Sequence, residues 1–317
     1  MSLSIILQQM GVICILVAIG IYLQKRGVAD SLTTKNISTI VVDICNPALI
    51  LASILSGNIT ATHRDLLIAA GLGAALYAIL VALGFLLPHI LRVAPDKRRF
   101  YNLMTVYTNT GFLGIPIAKA VLPSNAILYV IVVNVFYSLL FYTHGLAILG
   151  SGRADEDGNP VPVKASLRSI LNPGTIMALL SLAVFWFEIS LPPILANTVS
   201  YVGNATVFLS MALLGINIAR SKIGTQIRDA RIWAYIALRM VLVPSIVVLV
   251  MYVCRFDPAA TLAMCLMAAV PVGNLPMIQA EKIGEDTTIL SSAIAVTTAV
   301  SMGTITALIL AFSALLL

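Results

Sequence analysis

Charged side chains are scarce in this chain. Asp, Glu, Lys and Arg make up 10% of its 317 residues, where a soluble domain carries about 25%. So few charges cannot cover a water-facing surface. With 60% hydrophobic residues and a mean hydropathy of +1.01, the chain reads as an integral membrane protein. Carboxylates are rarer than bases, 13 against 19. In a soluble protein that excess would suggest nucleic acid. Here the bases sit in short loops between apolar runs, so they report membrane orientation and no nucleic-acid partner is expected.

Other absences narrow the function. The four cysteines, Cys14, Cys45, Cys254 and Cys265, are scattered through apolar runs without metal-type spacing, and read as small buried hydrophobes. No phosphate-binding glycine loop followed by Lys-Ser/Thr is present, so ATP is not the energy source within this chain. There is no His-Glu-x-x-His, no paired-aspartate prenyl-diphosphate motif and no nucleophile–base set, so an enzyme is not expected. No cofactor or metal is implied, and coupling to a proton or to sodium stays open. The first apolar run lacks a basic segment before it, since Lys25 and Arg26 come afterwards, which argues against a cleavable signal peptide.

What is present is a series of apolar runs, each long enough to cross a bilayer. They predict an all-α integral membrane fold of ten spans: 3–23, 37–56, 65–90, 100–122, 125–149, 167–189, 198–219, 231–254, 258–281 and 288–316. A hydrophilic stretch at 150–166, with two prolines and three acids, divides them five and five. The expected organisation is therefore one five-span unit over 1–149, a short cytoplasmic linker over 150–166, and a second unit over 167–317. Lys and Arg gather in the loops after spans one, three, five and seven. The alternate loops hold only Arg64, Lys119 and Arg255. The positive-inside rule then places both termini outside the cytoplasm, on a cell (plasma or inner) membrane.

Five spans per half give the second half the opposite orientation, so likeness between halves would mark an inverted repeat. When Pro116 is laid on Pro276, Gly114 meets Asn274 and Lys119 meets Gln279, and both segments fall in the fourth span of their half. The segment 107–123 also carries Asn109, Thr110, Gly111 and Pro116. Its partner carries Pro271, Gly273, Asn274 and Pro276. Proline removes a backbone donor and glycine eases departure from helical geometry. Freed backbone groups in hydrocarbon are tolerated only where protein or a cavity covers them. Two such interruptions at matching places predict broken, crossing helices around a substrate site near the midplane.

These residues resemble a known family. "NPALI" (46–50), "NTGFLGIPIAK" (109–119) and "VPVGNLPMIQAEKIGEDTTILSSA" (270–293) are similar to the auxin efflux carrier family, which includes plant PIN-formed auxin carriers and bacterial permeases for malate or malonate. "GNATVFLSMALLGINIA" (203–219), with Asn204 and Gly215, resembles its seventh span, and "RMVLVP" (239–244) its eighth. The resemblance implies two inverted five-helix repeats in which helices four and nine cross. Spans 1, 2, 6 and 7 would form a scaffold, spans 3–5 and 8–10 a transport domain, and the protein a homodimer. It places Asn109, Pro116, Lys119, Pro271 and Pro276 at the crossover and its support. The chain departs from plant members in its short central linker and in Gly71, where those members hold an acid.

Other polar residues are candidates for substrate contact or coupling. Asp43 in span two and Arg239 in span eight are costly in the membrane and are expected to pair or face water, as a structural lock or an ion-coupling site. Asn46 and Asn204 suit either substrate contact or an interhelical hydrogen bond. Lys119 either supports the crossover or snorkels to the interface. Together these readings predict a secondary transporter of a small organic anion by alternating access, with an anion channel as the first alternative and an intramembrane enzyme as the second. An apolar pocket with one or two amides would suit an aromatic acid, and added basic groups a dicarboxylate.

Overall fold

The computed structural model describes residues 3–55, 61–151, 170–220 and 230–316. Among these residues the protein is all-α. α1 spans Leu3–Lys25, α2 31–55, α3 His63–Ile90, α4 Arg98–Val106, α5 Thr110–Val121 and α6 Ala126–Gly150. α7 spans Pro173–Trp186, α8 Pro193–Arg220, α9 Ala230–Val253, α10 Pro258–Ala269, α11 Leu275–Lys282 and α12 Thr288–Leu316. Seven of these helices, α1, α2, α3, α6, α8, α9 and α12, are long and apolar enough to cross a membrane.

Expected spans four and nine are each two short helices, α4 with α5 and α10 with α11. Span six is the 14-residue α7. It starts where Asn172 accepts the Thr175 N–H at 3.0 Å and Pro173 takes the first helical position. Most of the linker lies outside the described residues.

Short polar side chains start the helices where the loops meet them. Asp30 accepts from the Thr33 N–H at 2.7 Å, and these Thr33 hydrogen bonds hold its carboxyl below the usual range. Thr62 and Asp65 form a reciprocal capping box ahead of α3, and Asp257 caps α10 through the Ala259 and Ala260 N–H groups. Among the described residues four π-helical turns interrupt the regular spans: Val41–Cys45, Thr110–Gly114, Phe141–Gly145 and Ala237–Leu242. Each holds one of the polar residues Asp43, Thr110, His144 or Arg239. A π turn leaves backbone groups off the regular ladder and is frequent at functional places.

Packing separates two sets of helices. α1, α2, α7 and α8 pack on one another, and small residues allow it. A β-carbon at Gly20 would lie 2.1 Å from the Ala212 carbonyl oxygen, and one at Gly215 would lie 2.0 Å from that of Val17. Gly203 meets the Leu49 backbone in the same way. The other set packs α3 on α4 and α6, and α10 on α6, α9 and α12. α10 is buried at every residue from Ala259 to Ala269, which makes it the centre of this set. Apolar side chains such as Leu67, Phe85, Leu249 and Val253 point outward from α3 and α9, as suits hydrocarbon.

Candidate functional site

The two broken spans meet at their breaks. α4 stops at Val106, and Tyr107 to Asn109 leave helical geometry before α5 begins. α10 stops at Ala269, and Val270 to Gly273 do the same before α11. Thr108 and Val272 pair as an antiparallel bridge. The Asn109 N–H donates to the Pro271 carbonyl at 2.8 Å, and the Gly273 N–H donates to the Tyr107 carbonyl at 3.0 Å. Each break thus satisfies backbone groups of the other, as an interrupted helix in lipid requires. Gly273 permits the approach, because a β-carbon there would lie 2.9 Å from the Thr108 carbonyl oxygen. The Val272 N–H is taken up by the Thr297 hydroxyl of α12 at 3.3 Å.

Pro116 and Pro276 sit past the breaks and Pro271 within one, and all three are buried. Pro116 has no N–H for the regular ladder, and the chain ahead of it takes the π turn in which the Ile115 N–H reaches the Thr110 carbonyl. Pro276 occupies the first turn of α11, where an N–H would have no helical partner.

Four helix ends converge here and fall into two kinds. α4 and α10 bring C-termini, with negative dipole ends, while α5 and α11 bring N-termini with positive ends, although the Thr110, Phe112, Leu113 and Gly114 N–H groups of α5 are already taken by Thr108 and Asn109. Arg239 closes the first kind. It is fully buried, and its guanidinium donates to the Thr105 carbonyl of α4 at 2.8 Å and to the Ala268 carbonyl of α10. One buried cation therefore caps two half-helices. The Asp43–Arg239 ion pair allowed by the sequence does not form. Asp43 is exposed on α2, and Arg239 is held by backbone carbonyls because it projects between the two C-termini.

The N-termini face a cavity of ≈ 560 Å³ that both Asn109 and Asn274 line. Their amides are in different states. Asn109 Oδ1 accepts the Phe112 N–H at 3.2 Å and caps α5. Asn274 stands at the start of α11 without a side-chain capping bond. The cavity runs from buried Ser210 and Thr298 to exposed Lys35 and Glu281, with Arg220 on its wall. Ser210 is 3% exposed, and its hydroxyl has no partner among the described residues, so it can take up a ligand. Among the described residues the cavity has one aromatic wall residue, Phe112.

Other expected residues lie elsewhere. Asn46 and Gly111 face Asn134 of α6, and the Thr110 hydroxyl donates to Asn134 Oδ1 at 3.0 Å. That buried polar cluster does not line the cavity, and Asn46 Oδ1 has no partner in it. Asn204 is exposed, with Ser200 Oγ 3.5 Å from its Nδ2, and also misses the cavity. Lys119 is exposed in the last turn of α5, where a cation suits the helix dipole, and Gln279 is partly buried off the cavity. At Gly71 a β-carbon would meet nothing within 4 Å, so no neighbouring group approaches that position. Sequence reading missed Ser210, Asn217, Thr298 and Asn134. The i, i+7 spacing of Ser210 and Asn217 in an apolar run was the available signal.

A multi-pass helical membrane protein with paired helix breaks beside a cavity has the layout of a membrane transporter. Residues 5–309 match the membrane transport protein family, and the chain belongs to that family, the auxin efflux carriers. It is also similar to an uncharacterized transporter of Methanocaldococcus jannaschii, 26% identical over 217 residues that cover 66% of this chain and 67% of the relative.

Proposed function

We propose that the protein is a secondary transporter of a small, polar organic anion, bound at the crossover and moved by alternating access. The observation that carries this reading is the division of the four helix ends. Arg239 neutralises both C-termini, while both N-termini, with Asn109 and Asn274, open on the cavity. Such a site favours a negative group at its inner end. Lys35 and Arg220 on the wall, against the one acid Glu281, leave a second net-positive region, and a single ring among the described residues gives little surface for stacking. These features support a short dicarboxylate over an aromatic acid. Arg220 is positioned by Gln24 Oε1 at 2.7 Å and by the Ala29 carbonyl.

The architecture proposed is ten spans in two inverted five-helix repeats, 1–149 and 167–317, with α4–α5 and α10–α11 as broken, crossing helices four and nine. Packing supports it: the contact of span one with seven is matched by six with two, and three with four by eight with nine. α1, α2, α7 and α8 then form the scaffold and the remaining helices the transport domain. The cavity lies between the two sets and reaches the basic end of the bundle. With cytoplasmic basic loops and both termini outside, that is an inward-open state. The Asn46–Thr110–Asn134 cluster closes the opposite side. Homodimerisation is expected from the family. Reconstituted protein should show saturable uptake of short dicarboxylates with stimulation by the same acid on the far side. Linear, unstimulated flux would support a channel instead.

A further inference from the structure

A second cavity, of ≈ 400 Å³, lies apart from the crossover, between the end of α3, the start of α4 and the end of α6. Asn102 lines it, is 3% exposed, and among the described residues has no partner for either its oxygen or its nitrogen. A buried amide without any partner is rare and calls for a ligand or an ordered water. Gly84 makes the room, since a β-carbon there would lie 2.9 Å from Asn102 Nδ2.

The charge beside it is held in place. His89 Nδ1 lies 2.7 Å from the Phe85 carbonyl and Nε2 lies 3.0 Å from Arg98 Nη1. A neutral imidazole that donates from Nδ1 to the carbonyl and accepts at Nε2 satisfies both contacts. Arg98 Nε donates to the Val93 carbonyl at 3.0 Å. Two backbone-anchored contacts thus fix the guanidinium, and its remaining N–H groups have no acceptor among the described residues. Arg99 is engaged otherwise, with Glu285 at 2.6 Å and the Leu149 and Ser151 carbonyls. Asp96 also lines the cavity and opposes a doubly charged anion. Phe85, 52% exposed, and Ile148 give the cavity an apolar side toward the bilayer.

We propose that this cavity binds a phosphate group, that of a phosphodiester lipid headgroup, with Arg98 and Asn102 as its ligands. A phosphodiester carries a single negative charge, which fits one free guanidinium better than a dianion does. An amine on the headgroup would meet Asp96. The fixed planar fork of arginine suits phosphate oxygens, and the apolar side leaves an exit for acyl chains. The position among Arg92, Lys97, Arg98 and Arg99 puts it at the basic end of the bundle, where headgroups of that leaflet lie.

The test is native mass spectrometry of the delipidated full chain, titrated with dioctanoyl phosphatidylethanolamine, dioctanoyl phosphatidylglycerol and inorganic phosphate. The wild-type chain should retain one phospholipid, with ethanolamine preferred over glycerol and both over free phosphate. Arg98→Gln and Asn102→Ala should each weaken retention by roughly 10- to 150-fold, the value of one hydrogen bond to a charged group. Neither variant should alter the KM for transported acid, because neither residue touches the crossover cavity. Free phosphate binding as tightly as lipid, with the same loss in both variants, would assign the site to a soluble phosphate and keep its ligands. Equal retention of every probe by wild type and both variants would overturn the proposal, and Arg98→Gln, at a partly exposed position, keeps that comparison available if Asn102→Ala unfolds.

Discussion

At the scale of single residues, the two crossover amides look alike in sequence and differ in what they already do. Asn109 spends its oxygen on capping α5, while Asn274 has no such commitment. Asn274→Ala should therefore weaken substrate binding by about 10- to 150-fold with little loss of stability, as expected for a hydrogen bond to a charged ligand. Asn109→Ala should weaken binding and also lower stability by about 1 kcal/mol, the typical worth of a cap. Thermal unfolding in detergent beside a binding titration separates the two outcomes. Lys119→Gln should transport normally, because the ammonium is exposed in the last turn of α5 rather than beside the break. Uptake reduced tenfold by Lys119→Gln would restore the crossover role that the resemblance suggested. Arg239→Met should be the most destabilising of these changes. It strips the Thr105 and Ala268 carbonyls of their donor, at about 1–3 kcal/mol for each buried group left without a partner. An unchanged unfolding midpoint would show that the guanidinium does not hold the two half-helices.

At the scale of elements, the breaks were legible and their placement less so. Pro116 and Pro276 announced them, since neither can complete a helical ladder in lipid. The unwound residues proved to be Tyr107 to Asn109 and Val270 to Gly273, ahead of the prolines. Pro276 is accommodated within the opening turn of α11 and Pro116 just past the π turn that opens α5, so the unwound residues fall before both. The backbone pairing of Thr108 with Val272 depends on contacts distant in sequence, and no local pattern reveals those. The same holds for Arg239: its depth was evident, but its acceptors are carbonyls contributed by two other helices. Gly273→Ala tests the pairing. The added methyl would sit against the Thr108 carbonyl, forcing the two breaks apart, and transport should fall at least tenfold while the protein remains in the membrane. Wild-type uptake in that variant would mean that the close approach is dispensable.

At the scale of the molecule, the sequence pointed to helices that border the cavity and, on two of them, to side chains that do not line it. α2 and α8 do border the cavity, but through Ser38 and Ser210 rather than Asn46 and Asn204. The cavity is open toward the basic loops, so polar residues nearer that end of α2 and α8 line it, and Asn46 and Asn204, farther along each helix, do not. In the outward state proposed here, the Asn46 and Asn134 cluster would open in turn. The orientation has its own test. In a chain whose four cysteines are replaced, Ser151→Cys should react with an impermeant thiol reagent only from the cytoplasm, and reaction from outside would invert the scheme.

The central claim is that two half-helix N-termini and Asn274 bind a carboxylate. It is tested most directly by isothermal titration of the detergent-purified chain with a short dicarboxylate, its uncharged diamide, and the Asn274→Ala variant. Saturable binding of the acid is expected, with no measurable binding of the diamide and an affinity lowered by about 10- to 150-fold in the variant. Equal binding of acid and diamide, or an acid affinity unmoved by Asn274→Ala, would contradict it.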